Sequence, residues 1–230
     1  MKSGTREHDG RSKPIGGFSL IETLIVVAII GIIAAMAVPT LLGGTADERL
    51  KSTARDVAGA FTVARSEAIR TGNIHIVFIG TDAAGNALPN VNGGGAALIA
   101  IVNDGAPGSL NQNCQIDAGE ISSLIDSNLG VAGGIMAGVT QMAEDLGAGA
   151  PATGSTFTEP DGATASSWVL FRPEGTVHSF DALCVEGALG SGAGGIYINN
   201  GQKQFGILLR PLGGTRVRLW EGGGVNQWAT

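Results

Sequence analysis

The sequence is poor in the residues that build catalytic and metal centres. It contains three histidines and two cysteines, and none of them has the spacing of a zinc-binding pair. No G-x-S-x-G nucleophile motif occurs, and the glycine-rich stretch 190–195 is not followed by the lysine and helix of a phosphate-binding loop. These absences argue against an enzyme, and we predict no cofactor apart from one calcium candidate.

Positive charge is also scarce. Lysine and arginine together number 14 against 20 aspartates and glutamates, so the formal net charge at pH 7 is −6. An acidic balance argues against a generally basic nucleic-acid-binding surface, although it leaves room for a local basic patch.

One long apolar run stands out in this chain. Residues 18–38 are apolar at nearly all of their 21 positions, and a basic, glycine-containing flank (KPIGG) precedes them. As a helix the run would be about 30 Å long, which is the thickness of the hydrocarbon core of a bilayer. We therefore predict a membrane-spanning helix over residues 18–38.

This run has three interpretations. The first is a secretory signal peptide cleaved after Ala37 in an A-x-A pattern, but such a peptide has a shorter apolar core and no use for the carboxylate of Glu22. The second is a simple membrane anchor. A carboxylate at the centre of a membrane helix costs about 2.5–3.5 kcal/mol, and less near the interface, so an acidic residue in this position indicates a function.

The third interpretation rests on residues 16–24, GGFSLIETL, which resemble the class III signal peptide of type IV prepilins and type II secretion pseudopilins. The resemblance implies that a prepilin peptidase and N-methyltransferase cuts after Gly17 and methylates the new amino terminus at Phe18. It also implies that Glu22 neutralises the amino terminus of a neighbouring subunit during assembly, and that Pro39 kinks or locally opens the helix. The implied partners are sibling pilins or pseudopilins in a hetero-oligomeric fibre.

Charge predicts the orientation of the helix. The leader, residues 1–17, carries four cations and two acids, whereas the flank after the run has no such excess of cations. We therefore predict an inner-membrane protein with a single span, a cytoplasmic amino terminus and an outward-facing domain, which in a Gram-negative cell lies in the periplasm. Removal of the leader would leave 213 residues with a net charge near −8.

The two cysteines, Cys114 and Cys184, are candidates for a disulfide in the oxidising periplasm. The alternative is a pair of buried free thiols, because sequence spacing alone does not show whether two residues approach each other.

The rest of the chain predicts an α+β fold, a long helix packed on antiparallel strands as in the pilins. Residues 39–73 continue the helix in amphipathic form, with apolar residues at spacings of three and four and a Gly-Asn stop at 72–73. Residues 74–230 form the β-rich domain. Its predicted strands are 74–79, 97–102, 120–125, 168–172, 176–180, 196–198, 204–210 and 215–220.

Three long stretches, 80–95, 130–160 and 187–195, are rich in glycine and other small residues and contain few aromatic side chains. We expect surface insertions in these places, with a short helix over 139–146 as one option.

The stretch 109–120 has the spacing of a calcium-binding loop, since its oxygen-bearing side chains fall on the ligand positions of an EF-hand. These residues are Ser109, Asn111, Asn113, Gln115, Asp117 and Glu120. Only two of them are acidic, and Cys114 occupies the position of the glycine that makes the sharp turn. The competing interpretation is an Asx-rich turn.

Four segments of the domain resemble the H-type minor pseudopilins and FimT-like minor pilins. They are ARSEAIRTGN at 64–73, NQNCQIDAGE at 111–120, LFRPEGTV at 170–177 and LLRPLGGTRVRLW at 208–220. The chain departs from this branch in its longer glycine-rich insertions. It also has Thr215 between Gly214 and Arg216, where FimT-like DNA-uptake pilins have glycine directly followed by R-x-R.

A small basic spot is predicted at the last hairpin. Arg216 and Arg218 share one face of a strand, and Arg210 lies on the preceding arm. The spot is a candidate nucleic-acid contact, and arginines that protect an edge strand are the competing interpretation.

Three functional hypotheses follow. The first is a minor pseudopilin of the type II secretion system. The second is a minor type IV pilin that acts in pilus assembly or as a DNA-binding module at the fibre tip. The third is a lone anchored periplasmic domain. Glu22 disfavours the third, and the acidic charge favours secretion over DNA uptake.

Overall fold

The computed structural model describes residues 19–90, 96–126, 130–220 and 228–229, with the backbone alone over 35–44. The chain divides into two compact units, Met1–Gly43 and Gly44–Thr230. One helix, α1, extends from Leu20 to Thr71 and therefore contributes residues to both units.

In the first unit, the described side chains of α1 expose an apolar surface. The exposed large residues are Leu20, Ile21, Leu24, Ile25, Val26, Val27, Ile29, Ile30, Ile32 and Ile33. The helical backbone is continuous through Pro39 and residues 40–44. None of the helical segments that the structure describes meets the length and hydropathy expected of a membrane span.

The described part of the second unit contains ten strands after α1. They are β1 (His75–Ile79), β2 (Ile99–Asn103), β3 (Ile121–Ile125), β4 (Ala132–Gly133), β5 (Trp168–Phe171), β6 (Val177–His178), β7 (Gly194–Asn199), β8 (Gln204–Leu209), β9 (Thr215–Trp220) and β10 (Trp228–Ala229). They form two five-stranded sheets, in the orders β3-β2-β1-β5-β6 and β10-β9-β8-β7-β4. Every pairing is antiparallel.

The α+β prediction is confirmed for the described residues, and each of the eight predicted strands has a counterpart in the structure. Two tight turns are closed by backbone hydrogen bonds. Gly175 N donates to Arg172 O at 2.8 Å, and Gly213 N donates to Arg210 O at 2.8 Å, which closes the β8–β9 hairpin. The two short strands β4 and β10 were not predicted.

The carboxy-terminal part of α1 covers both sheets. All six residues of its apolar stripe are buried: Leu50, Ala54, Val57, Phe61, Ala64 and Ala68. They pack against Val77 and Phe171 from the first sheet and against Ile196 and Ile207 from the second. The helix ends at Gly72, whose φ of 70° and hydrogen bond to Ala68 O form a left-handed cap.

The long glycine-rich stretches are not simple surface insertions. Leu88, Phe157 and Met142 all come from these stretches and are buried, with exposures of 2%, 0% and 4%. The short helix suggested over 139–146 is wrong, because this segment consists of turns and irregular backbone. One 3₁₀ turn, Pro151–Thr153, lies further along.

Candidate functional site

The processing and assembly residues lie at the amino-terminal end of the chain. Gly17 and Phe18 are outside the described residues. Glu22 lies in the first turn of α1 and is exposed, where it is surrounded in sequence by exposed leucine and isoleucine. Pro39 lies within the continuous helix, in the segment described by its backbone alone.

Within the second unit, a polar contact ties α1 to the turn between β7 and β8. Asp47 accepts hydrogen bonds from Asn200 Nδ2 at 2.9 Å and from the Lys203 ammonium group. The hydrogen bond from Lys203, followed by that from Asn200, holds the pKa of Asp47 below its usual value. At the other end, Arg65 Nε donates to Gly175 O at 3.0 Å. The amphipathic part of α1 is thus fixed to the sheets near both ends.

The structure brings the three arginines of the predicted basic spot around one carboxylate. Arg210 Nη2 and Arg216 Nη1 lie 3.1 and 2.8 Å from Glu144 Oε2, and Arg218 Nη2 lies 2.9 Å from Glu144 Oε1. The hydrogen bond from Arg216, followed by that from Arg218, holds the pKa of Glu144 below its usual value. Three cations and one acid leave the cluster with a net charge of about +2, so the spot is less basic than the sequence suggests.

Cys114 and Cys184 are joined by a disulfide, with their Cα atoms 5.4 Å apart. The bond links the loop after β2 to the loop after β6. Both cysteines have positive φ, 57° and 62°, and they are the two non-glycine residues with positive φ in the described part of the chain.

The side chains of the calcium candidate bond to one another and to the local backbone. Asn113 Nδ2 donates to Asp117 Oδ2 at 2.7 Å, and Asn113 Oδ1 accepts from Gln115 N at 2.9 Å. Glu120 Oε2 accepts from Asp117 N at 3.2 Å, while Asn111 is exposed. These are the bonds of an Asx-rich turn. Calcium binding by Asn111, Asn113, Asp117 and Glu120 stays a prediction.

The structure contains a largely buried polar cluster that the sequence did not predict. The Tyr197 hydroxyl donates to Asp145 Oδ2 at 2.7 Å and accepts from Met142 N at 3.1 Å. Thr156 Oγ1 donates to the same carboxylate at 2.8 Å and accepts from Gly195 N at 2.8 Å. Burial, assisted by the neighbouring Asp145, raises the pKa of Tyr197. The one available signal was the position of the sole tyrosine of the chain, in the middle of an otherwise apolar strand.

Residues 13–38 match the family model described as the prokaryotic N-terminal methylation motif. No curated protein and no solved structure shows a significant match to the chain. The motif indicates a type IV pilin-like protein, and it implies processing by a prepilin peptidase and assembly with other pilins. It suggests a structural subunit. Because the match ends at Val38, it does not distinguish between branches of the pilins.

Proposed function

We propose that this chain is a minor pseudopilin, a structural subunit of the pseudopilus of the type II secretion system, which exports proteins across the outer membrane. The observation that carries the proposal is the methylation motif over residues 13–38. It coincides with the first part of α1, whose large apolar side chains from Leu20 to Ile33 are exposed and which carries an acidic residue, Glu22, in its first turn.

The exposed apolar surface of α1 requires cover, either by lipid or by other helices. In the proposed function lipid covers it before assembly and sibling pseudopilins cover it in the fibre. The subunit would be held in the inner membrane by a single span, with the β-rich unit in the periplasm. Prepilin peptidase and sibling pseudopilins are its proposed partners.

Glu22 has a specific role in this proposal. In a bundle of apolar helices the dielectric is low, so a lone carboxylate is unfavourable and a paired one is strongly attracted to its partner. The positive amino terminus of an adjacent processed subunit supplies that partner. Pairing would therefore favour one axial register between neighbouring helices.

Substitution at Gly17 tests the processing step. We expect Gly17→Glu to leave the full-length precursor in the membrane, because the bulky charged side chain stands directly before the cut, while Gly17→Ala retains part of the processing. Intact-mass measurement of the purified chain distinguishes the two forms. A mature amino terminus at Val38, in place of methylated Phe18, would contradict the proposal and support cleavage of an ordinary signal peptide.

Substitution at Glu22 tests assembly. We expect Glu22→Val to leave processing intact and to reduce crosslinking to sibling pseudopilins by about tenfold or more, since an ion pair at low dielectric is worth more than about 1.4 kcal/mol. Glu48→Val, at an exposed glutamate of the same helix, is the matched control and should assemble normally. Equal crosslinking and secretion in the wild type and Glu22→Val would rule out the assembly role.

The second candidate, a minor type IV pilin with a DNA-binding tip, is suggested by the convergence of Arg210, Arg216 and Arg218. The same arrangement weakens it, because Glu144 already accepts a hydrogen bond from each arginine. A phosphate would have to displace this carboxylate on a protein whose net charge is −6. We therefore retain the structural role as the main proposal.

A further inference from the structure

Asp104 is a buried carboxylate that neither processing nor assembly uses. The residue is 0% exposed. Its Oδ1 atom accepts hydrogen bonds from the backbone N–H groups of Asn113 at 3.2 Å and Cys114 at 3.0 Å. Its Oδ2 atom is buried and has no hydrogen-bond partner in the part of the chain that the structure describes. A buried, unpaired carboxylate oxygen is costly and calls for an explanation.

The surroundings of this carboxylate suggest an explanation for its unpaired oxygen. A carboxylate oxygen of Asp104 and the sulfur atoms of Cys114 and Cys184 all lie within 4.8 Å of one another. Asp104 and Cys114 are buried, whereas Cys184 is partly exposed and gives the group a path to solvent. Among the described residues, this is the one group of three such donors that is compact enough to hold a metal ion.

We propose that Asp104, Cys114 and Cys184 form a binding site for a zinc-class divalent cation when the disulfide is reduced. Two thiolates and one carboxylate are a ligand set suited to Zn²⁺, and a water molecule completes the tetrahedron. The sulfur atoms of an intact disulfide lack the negative charge of thiolates. A disulfide and a metal ion therefore exclude each other at this position.

The chemistry has two balanced steps. A small dithiol transfers two electrons and two protons to the disulfide, so the S–S bond breaks, both cysteines become thiols and the dithiol becomes a cyclic disulfide. The cation then binds the two sulfurs and releases both thiol protons. Zinc–sulfur bonds of about 2.3 Å place the two sulfurs about 3.8 Å apart in a tetrahedral site, a separation that rotation of the cysteine side chains supplies.

The local backbone prepares the carboxylate for this role. The N–H groups of Asn113 and Cys114 hold Oδ1, which leaves Oδ2 as the free donor, in the manner of the outer groups that orient metal ligands. Asp117 and Glu120 lie close enough to act electrostatically on Asp104, and their negative charges also attract a cation. The calcium candidate of the sequence uses Asn111, Asn113, Asp117 and Glu120, whereas the proposed site uses Asp104, Cys114 and Cys184, of which the first two are buried.

Cobalt titration tests the site. The full chain in detergent micelles would be reduced with dithiothreitol, freed of reductant without oxygen, and titrated with Co²⁺, whose thiolate complexes absorb in the near ultraviolet. We expect one Co²⁺ per chain, displacement by Zn²⁺, and an affinity about tenfold or more lower in Asp104→Asn. The asparagine oxygen still accepts the two N–H bonds, so this variant keeps its local fold. Asp56→Asn, at an exposed carboxylate on α1, is the matched control and should bind within about threefold of the wild type.

Three results would overturn the proposal. They are the absence of the thiolate-to-cobalt band in the reduced wild type, equal affinity in Asp104→Asn, and equal binding by the oxidised chain. If reduction unfolds the domain, the cysteines would bind Co²⁺ without help from Asp104. The wild type and Asp104→Asn would then bind Co²⁺ with equal affinity, which is the second of these results. The site does not depend on the pseudopilin proposal, so either one can fail alone.

Discussion

Replacing Phe157 with alanine is expected to lower the free energy of unfolding of the domain by about 3–5 kcal/mol. Phe157 is completely buried, and its ring packs edge-on against Phe61 of α1 with the ring centroids 6.2 Å apart. A Cβ atom on Gly194 would lie 2.6 Å from the Phe157 ring, so β7 has no side chain there that could fill the space. The alanine variant therefore leaves a cavity between α1 and the second sheet.

Denaturant unfolding of the full chain in micelles, followed by tryptophan fluorescence, measures this loss. Leu212→Ala is the control, because Leu212 is 66% exposed and its loss should change stability by less than about 0.5 kcal/mol. Phe157→Leu should lie between the two. A loss below about 1 kcal/mol in Phe157→Ala would instead place the 130–160 stretch at the surface, as its composition suggests.

Asp104 is expected to make the domain less stable as the pH rises from about 4 to about 6. Burial raises the pKa of Asp104 to about 6, the hydrogen bonds from Asn113 and Cys114 oppose the shift, and the charges of Glu120 and Asp117 reinforce it. Below pH 4 the group is protonated in both the folded and the unfolded states. Between pH 4 and pH 6 it ionises mainly in the unfolded chain, so unfolding becomes more favourable. The pKa difference of about 2 units corresponds to about 3 kcal/mol at most.

The contribution of Asp104 is measured from the free energy of unfolding of the oxidised chain at several pH values between about 3.5 and about 7.5. Asp104→Asn should remove it and should be more stable than the wild type at pH 7. Asp56→Asn, at an exposed carboxylate on α1, should keep the profile of the wild type. Parallel profiles for the wild type and Asp104→Asn would show that the buried carboxylate does not titrate in this range.

Local patterns predicted the elements of this fold well. The segments 204–209 and 215–220 contain alternating, β-branched and aromatic residues, which favour extended backbone. Pro-Leu-Gly-Gly at 211–214 lies between the two segments and favours a tight turn, so together they specify a hairpin. The apolar stripe from Leu50 to Ala68 has the helical period and is buried. In both cases the signal lies within a few consecutive residues.

Side-chain contacts between segments that are distant in sequence could not be predicted from local patterns. Gly206 leaves room for Met142, since a Cβ atom on Gly206 would overlap the Met142 side chain. Such a pairing joins a glycine in one strand to a large residue in a loop, and it has no sequence period. Glu144 was missed for the same reason. Arg216 and Arg218 were placed on one face by strand alternation, but the acid that joins them comes from an irregular stretch.

The position of β1 in the first sheet sets the order in which the domain can complete its sheets. β1 pairs with β2, the next strand, but its other neighbour is β5, which follows only after β2, β3 and β4. In the proposed inner-membrane topology the amino terminus stays in the cytoplasm, and the residues directly after the span cross first. One edge of β1 and the apolar stripe of α1 would then lack their partners until later residues cross. Pairing across such sequence distances is slow, and it leaves apolar surface exposed in the meantime. In that topology, the first sheet would stay incomplete until Phe171, the last residue of β5, has crossed the membrane.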